Sequence, residues 1–279
     1  MPRGIEIKQD DQIAAMRRAG LVVSAGLEAM AKAAVPGVTT ADIEGVGRDV
    51  LSAHNARSSF LNYGIVFGMP PYPGVVCLSP NDVVVHGIPG PYVLQDGDIL
   101  SIDFGAIVDG WHGDAARTVP VGQVGGAALK LIEATRQAMW SGIAAIRRGG
   151  RVSDISAAVE ASVKAQPHRY GIVRDYTGHG IGSAMHQAPD VPNWGRPGRG
   201  ARIERGMALC VEPMLTMGSD RVAEQSDSWT VKTTDGGWSA HWENTVAVLA
   251  DGLWVLTEPD GGRAELTARG VRWASLENH

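Results

Sequence analysis

The chain has 279 residues, with 25 Lys and Arg against 30 Asp and Glu; the net charge of −5 argues against the clustered basic face of a nucleic-acid binder. Apolar residues make up 44% and charged residues 20%, which excludes a disordered chain and allows one large core. No apolar run approaches the roughly 18 residues of a membrane span, the N-terminal stretch lacks the apolar segment of a secretory signal, and two cysteines, Cys77 and Cys210, exclude a disulfide scaffold and suit a reducing cytoplasm.

Asp10-Asp11 are expected to cap a helix that carries Ile13, Met16, Leu21, Leu27 and Met30 and stops at Pro36-Gly37. Gly20 and Gly26 count against it. Thr40 opens a second helix with Ile43, Val46, Val50 and Leu51 on one face. After a loop rich in Gly and Pro over 62–74, β patterns run over 75–79, 83–86, 98–108 and 111–119. A third helix over 127–148 shows Leu131, Ile132, Met139, Ile143 and Ile146 and stops at Gly149-Gly150. Ser153 caps a fourth, with Ile155, Ala158, Val159 and Val163 inward. β patterns return at 207–213, 229–233, 238–248 and 253–256.

The order helix, helix, strands therefore occurs twice, and Pro36-Gly37…Asp42-Ile43 resembles Gly149-Gly150…Asp154-Ile155 at an offset of 112. We expect an α+β fold with two similar halves around one sheet core. No linker divides it, so 1–279 reads as one domain with pseudo-repeats of about 11–125 and 126–258.

The first chemistry lies in the paired segments around Asp109-Gly110, a dipeptide suited to a type I′ hairpin turn. That register pairs Val108 with Trp111, Asp103 with Ala116 and Asp114 with Gly105, and puts Asp103 and Asp114 on one face. Diagonal neighbours stand ~7–8 Å apart, close enough for two carboxylates to converge on one ion. A lone Asp here would face solvent or pair with Arg117; two on one face of a core hairpin favour a metal. Further on, His179 stands between two glycines, and Glu212 and Glu243 each interrupt an apolar strand. A buried unpaired Glu costs several kcal/mol or stays protonated. Four carboxylates and an imidazole suit divalent ions such as Mn, Fe, Co or Zn.

The run from Tyr176-Thr177-Gly178-His179 through His186 to Trp194 resembles the signature of type I methionine aminopeptidases. So do Asp103…Asp114, Val211-Glu212-Pro213 and Glu243-Asn244-Thr245. The resemblance spans roughly 11–258 and implies the pita-bread fold, two pseudo-symmetric halves around a central curved antiparallel sheet. It implies an aminopeptidase that removes the N-terminal methionine from nascent chains with a small second residue, by attack of a hydroxide held between two divalent metal ions (Co, Mn, Fe or Zn). Asp114, His179, Glu212 and Glu243 would hold one ion, and Asp103, Asp114 and Glu243 the other. Glu212 would carry the proton, His186 would donate to the scissile carbonyl, and His86 would assist at the scissile nitrogen. Phe60, Tyr63, Tyr72, Met185 and Trp229 would form the methionine pocket, with Cys77 packed near it. Backbone at Asn81, Val83 and Ser239 would hold a monovalent cation, Na or K. The expected partners are nascent N-termini near the ribosome exit; a cytoplasmic monomer with neither nucleic acid nor membrane as partner is the simplest reading.

Ten residues separate Leu61 from Tyr72 where the family pattern has four. The extra residues at 65–71 make either a longer surface loop over an unchanged pocket or a wider or covered mouth. Rival readings are a proline-specific peptidase of the same fold, for which the short stretch before Asp103 leaves no N-terminal domain, and a type II enzyme, for which the step from His179 to Glu212 leaves no helical insert. A non-catalytic pita-bread module is the third; such modules lose metal ligands, and this chain keeps all five.

Overall fold

The computed structural model describes residues 4–276. Its first part contains α1 (Asp10–Ala33), α2 (Thr40–Ala53), β1 (Arg57–Ser58), β2 (Cys77–Pro80), β3 (Val83–Val85), β4 (Ile99–Val108) and β5 (Trp111–Pro120). Then come α3 (Gly126–Ala145), α4 (Val152–Lys164), β6 (Gly171–Ile172), β7 (Gly178–Gly180), β8 (Gln187–Val191), β9 (Ala208–Val211) and β10 (Met214–Thr216). The last part holds β11 (Val222–Glu224), β12 (Val231–Thr233), β13 (Ser239–His241), β14 (Glu243–Val248), β15 (Leu253–Val255) and α5 (Arg263–Ala268).

The four long helices expected from apolar periodicity form, and Thr40 opens α2 as expected, but the caps of α1 and α4 differ from the expected ones. Gln9 precedes α1, and its backbone N–H donates to Gln12 Oε1 at 2.8 Å; Asp10 and Asp11 sit inside the first turn, where they oppose the positive end of the helix dipole. Thr39 caps α2, exchanging hydrogen bonds with Asp42 at 3.0 and 3.1 Å. Arg151, not Ser153, precedes α4; the Ser153 hydroxyl instead accepts from the Arg199 amide at 2.7 Å. Gly20 and Gly26 are places of close approach, not weak points. A Cβ at Gly20 would stand 2.2 Å from the Leu256 carbonyl oxygen, and one at Gly26 2.4 Å from the Phe104 ring, so α1 lies flush on the sheet.

Asp109 and Gly110 both have positive φ, 51° and 83°, as a type I′ turn requires. They set the whole β4–β5 register, from Val108↔Trp111 to Ile99↔Pro120. These strands belong to a nine-stranded sheet ordered β1-β4-β5-β14-β9-β7-β8, with β15 on β14 and β2 on β4. Every pairing in it is antiparallel. Two small sheets, β13-β10-β6 and β11-β12-β3, stand beside it. One core packs α1 and α2 residues such as Leu27, Met30 and Ile43 on Ile102 and Phe104; another packs α3 and α4 residues such as Leu131, Met139 and Ile155 on Leu209, Val211 and Val246. Burial on both sides makes the central strands rigid carriers for the side chains described next.

Candidate metal centre and active site

Ala116 of β5 pairs with Asp103 on one side and with Glu243 of β14 on the other. The two carboxylates therefore flank one small residue in a row across three strands. Asn244 pairs with Val211, so Glu212 follows β9 at the level of Glu243 and extends the row. Asp114 lies two residues before Ala116 on β5, on the same face, and its oxygen joins those of Asp103 and Glu243 within 4.8 Å of one another. The Thr245 hydroxyl fixes the Asp114 backbone, accepting from its N–H at 3.2 Å and donating to its C=O at 2.7 Å.

His179 arrives from β7, whose Gly180 pairs with Leu209 of β9. Its Nδ1 lies 3.0 Å from the Gly180 carbonyl, an acceptor, so Nδ1 carries the proton in the neutral ring. Nε2 then presents a lone pair at 3.4 Å from Glu212 Oε1. This is the tautomer a metal needs.

Burial and mutual repulsion push the carboxyls of Asp114 and Glu243 well above the ordinary carboxylate range. Burial, and then the neighbouring Asp103, does the same to Glu212. Burial pushes Asp103 up to about 6, with His241 pulling it back. His179 is held well below the usual imidazole range by burial and by His186. Asp103 Oδ1, Asp114 Oδ1, Glu243 Oε1 and His241 Nε2 are buried with no hydrogen-bond partner among the described residues. Polar atoms of this kind are costly unless a cation sits among them. The donor set, oxygen-rich with imidazole nitrogen, fits divalent first-row metals.

Beside this cluster opens a cavity of about 180 Å³. Its apolar wall is Phe60, Tyr72, Cys77, Met185 and Trp229, with Tyr63 and Ile88 against it. Tyr72 and Trp229 meet edge to face at 5.3 Å, and the Tyr72 hydroxyl donates to the Val76 and Gly87 carbonyls at 3.1 and 3.0 Å. Tyr72 thus has its polar end satisfied and its ring free for an apolar guest. His86, at φ 59°, packs against Tyr176 and Trp229. His186 meets His179 edge to face at 4.2 Å, and its Nδ1 is 2.5 Å from the Tyr63 hydroxyl. Burial holds both His86 and His186 down to about 4, so both rings are neutral at pH 7.

All five expected metal ligands, both auxiliary histidines and all five expected pocket residues line this one cavity. The extra loop leaves the wall in place. Asn62 N–H donates to the Tyr72 carbonyl at 2.9 Å and Tyr72 N–H to the Tyr63 carbonyl at 2.8 Å, which closes the loop at its base. Ile65, Phe67 and Met69 are exposed, and Phe67 leans on Tyr63 from outside at 5.6 Å. Arg117 pairs with Glu258 and not with either hairpin aspartate. Asn81 and Ser239 meet outside the lining of the cavity, the Ser239 amide donating to the Asn81 carbonyl at 2.8 Å, and Val83 begins β3 two residues after Asn81. Tyr176, Thr177 and His241 also line the cavity and were not singled out from the sequence. His241 had a signal: it stands two residues before Glu243, the spacing that shares a strand face.

The sequence profile of metallopeptidase family M24 matches residues 14–250. The chain belongs to that family, and within it to the methionine aminopeptidases. It is 46% identical over 254 residues to the methionine aminopeptidase of Clostridium acetobutylicum, covering 91% of this chain and 98% of that one. Methionine aminopeptidase 1 of Mycobacterium tuberculosis is 46% identical over 251 residues, 88% of this chain and 92% of the relative. Among solved structures, the Thermotoga maritima methionine aminopeptidase superimposes with a TM-score of 0.87 at 36% identity, over 91% of this chain and all of that one. The Pyrococcus furiosus prolidase shares the pita-bread fold alone, at a TM-score of 0.71 and 17% identity over 90% of this chain and 65% of that one. As a family member the chain is a metal-dependent hydrolase that removes methionine from peptide N-termini.

Proposed function

We propose that this M24 aminopeptidase uses two divalent ions and releases methionine from nascent chains whose second residue is small. The convergence of four carboxylates, those of Asp114 and Glu243 buried, and one correctly protonated imidazole beneath an aromatic pocket supports the reading. Asp114, His179, Glu212 and Glu243 would hold one ion and Asp103, Asp114 and Glu243 the other. When bound, such a pair acidifies a shared water and polarises the scissile carbonyl.

The chain's own groups supply the rest. Phe60, Tyr72, Met185 and Trp229 take the thioether side chain through dispersion and sulfur–aromatic contacts. Tyr63 O–H donates to His186 Nδ1, which leaves the proton of the neutral ring on Nε2. That N–H donates to the carbonyl oxygen as it gains charge. Glu212 takes the proton from the attacking water and returns it to the amine as the C–N bond breaks. His86 faces the peptide on the other side, near the leaving nitrogen. The resemblance to type I methionine aminopeptidases implies a small second residue: Gly, Ala, Ser, Thr, Cys, Pro or Val. The single catalytic unit 1–279 works in the cytoplasm near the ribosome exit as a monomer, and backbone at Asn81, Val83 and Ser239 holds a monovalent cation.

A series of Met-Xaa-Ser peptides tests this reading. Methionine release should be fast for Ala, Ser and Gly in the second position and at least a hundredfold slower for Glu, Lys and Phe. Equal rates across the series would overturn the small-residue claim.

A further inference from the structure

Glu212 stands between two imidazoles. His179 Nε2 lies 3.4 Å from its Oε1, and His241 Nε2 lies 3.5 Å from its Oε2. Only His179 belongs to the five ligands read from the sequence. His241 ends β13, pairs with Met214 of β10 and is 2% exposed. Its backbone is clamped to β5 at both ends: His241 N–H donates to Thr118 Oγ1 at 2.8 Å, and that hydroxyl donates to the His241 carbonyl at 2.9 Å. The ring is thus aimed by a rigid strand and not by a loop.

Its Nε2 is buried and has no hydrogen-bond partner among the described residues. It lies within 4.8 Å of carboxylate oxygens of both Glu212 and Glu243, and Asp103 is its electrostatic neighbour. Two donors sharing one ion, with bonds of about 2.1 Å, stand roughly 3.0–3.5 Å apart. His179 and Glu212 stand at that separation through Oε1; His241 approaches the other oxygen, Oε2, and so reaches the centre at a different oxygen from His179, with Glu243, shared by both ions of the proposed centre, also in reach.

We infer that His241 is a sixth metal ligand, whose Nε2 joins Asp103 and Glu243 on the second ion. This rests on the two-ion centre proposed above. That ion would otherwise have only carboxylate oxygens from the protein, a set suited to Mn²⁺ or Mg²⁺. An imidazole moves the site toward Co²⁺, Fe²⁺ and Zn²⁺. The inference therefore concerns metal choice and second-ion affinity, which the five-ligand set leaves open.

The experiment uses the full chain stripped of metal and titrated with Co²⁺, followed by calorimetry and by proton NMR of the paramagnetic form. Ring N–H protons of cobalt-bound histidines appear far downfield. The wild type should show two such exchangeable signals, His241→Gln one, and His179→Ala the other one. In His241→Gln the second Co²⁺ should bind roughly 10–100-fold more weakly, with a smaller loss for Mn²⁺. A single shifted signal in the wild type overturns the inference without any variant, so a His241→Gln chain that folded poorly would not block the test. Unchanged second-ion affinity in a folded His241→Gln chain also overturns it while leaving the five-ligand centre standing. A wild type that takes up one Co²⁺ or none would overturn the two-ion reading and this inference together.

Discussion

Asp103 and Glu243 face the same residue, Ala116, from opposite sides, so a half-buried and a buried carboxylate share one face across three adjacent strands. With Asp114 two residues along the middle strand, the face carries more negative charge than a dry interior tolerates. A cation is the simplest way to make this arrangement stable. Removing a shared ligand should therefore cost both metal and rate. Asp114→Asn or Glu243→Gln should lower kcat by several orders of magnitude and reduce bound metal, measured by steady-state release of methionine and by elemental analysis. Near-wild-type turnover of either variant at saturating metal would contradict the assignment.

The desolvation of Asp103 should be visible in the metal-free protein as a pH effect. Asp103 titrates at about 6 in the fold, against ~3.9 in an unfolded chain. A folded pKa raised above the unfolded one gives stability that is full below the unfolded value and lost as pH rises through the folded one. The stability of metal-free wild type relative to metal-free Asp103→Asn should thus fall between pH 4 and pH 6, by up to about 3 kcal/mol. Urea melts of the two proteins across that range check this, and a flat difference would mean that Asp103 is not desolvated.

His186 and Tyr63 should separate chemistry from metal binding. His186→Ala removes the donor to the developing oxyanion and should lower kcat roughly 10²–10³-fold with metal content unchanged. Tyr63→Phe removes only the hydroxyl that fixes the His186 tautomer, so its kcat should fall less and its metal content stay the same. Loss of an ion in either variant would place the residue among the ligands.

The pocket wall and the extra loop should respond differently to substitution. Trp229→Ala removes a face of the cavity and should raise KM for methionyl peptides. Phe67→Ser lies outside the wall and should leave competition among Met-, Leu- and Phe-Ala-Ser peptides unchanged, with methionine strongly preferred. Loss of that preference in Phe67→Ser would show that the loop shapes the pocket.

A packing prediction concerns Gly20. A methyl group there would meet the Leu256 carbonyl, so Gly20→Ala should destabilise the fold by roughly 1–3 kcal/mol despite the better helix propensity of Ala. Thermal melting of the metal-loaded proteins measures it, and a stabilised Gly20→Ala would mean that α1 does not lie flush on the sheet.

What the sequence reveals is what local chemistry decides. Asp109-Gly110 sets a two-residue turn, and period-2 alternation then fixes the partners of Asp103 and Asp114 without any tertiary information. The long helices are legible because their apolar spacing extends over several turns. Gly20 and Gly26 were misread because their reason lies on Leu256 and Phe104, distant in sequence. The strand β7 escaped notice because it is three residues long and two of them are glycine. His241 was legible, since the β pattern over 238–248 sets it two residues before Glu243 on one strand face, but the motif that marks the other ligands does not include it.

The most direct test of the account is a stoichiometric one. Metal-free protein is titrated with Co²⁺ under strictly controlled metal, and methionine release from Met-Ala-Ser is followed beside cleavage of an Xaa-Pro peptide. The account predicts no release without metal, a rise that saturates near two equivalents, and no Xaa-Pro cleavage. Full activity at one equivalent or without metal, or preferential cleavage of the Xaa-Pro peptide, would contradict it.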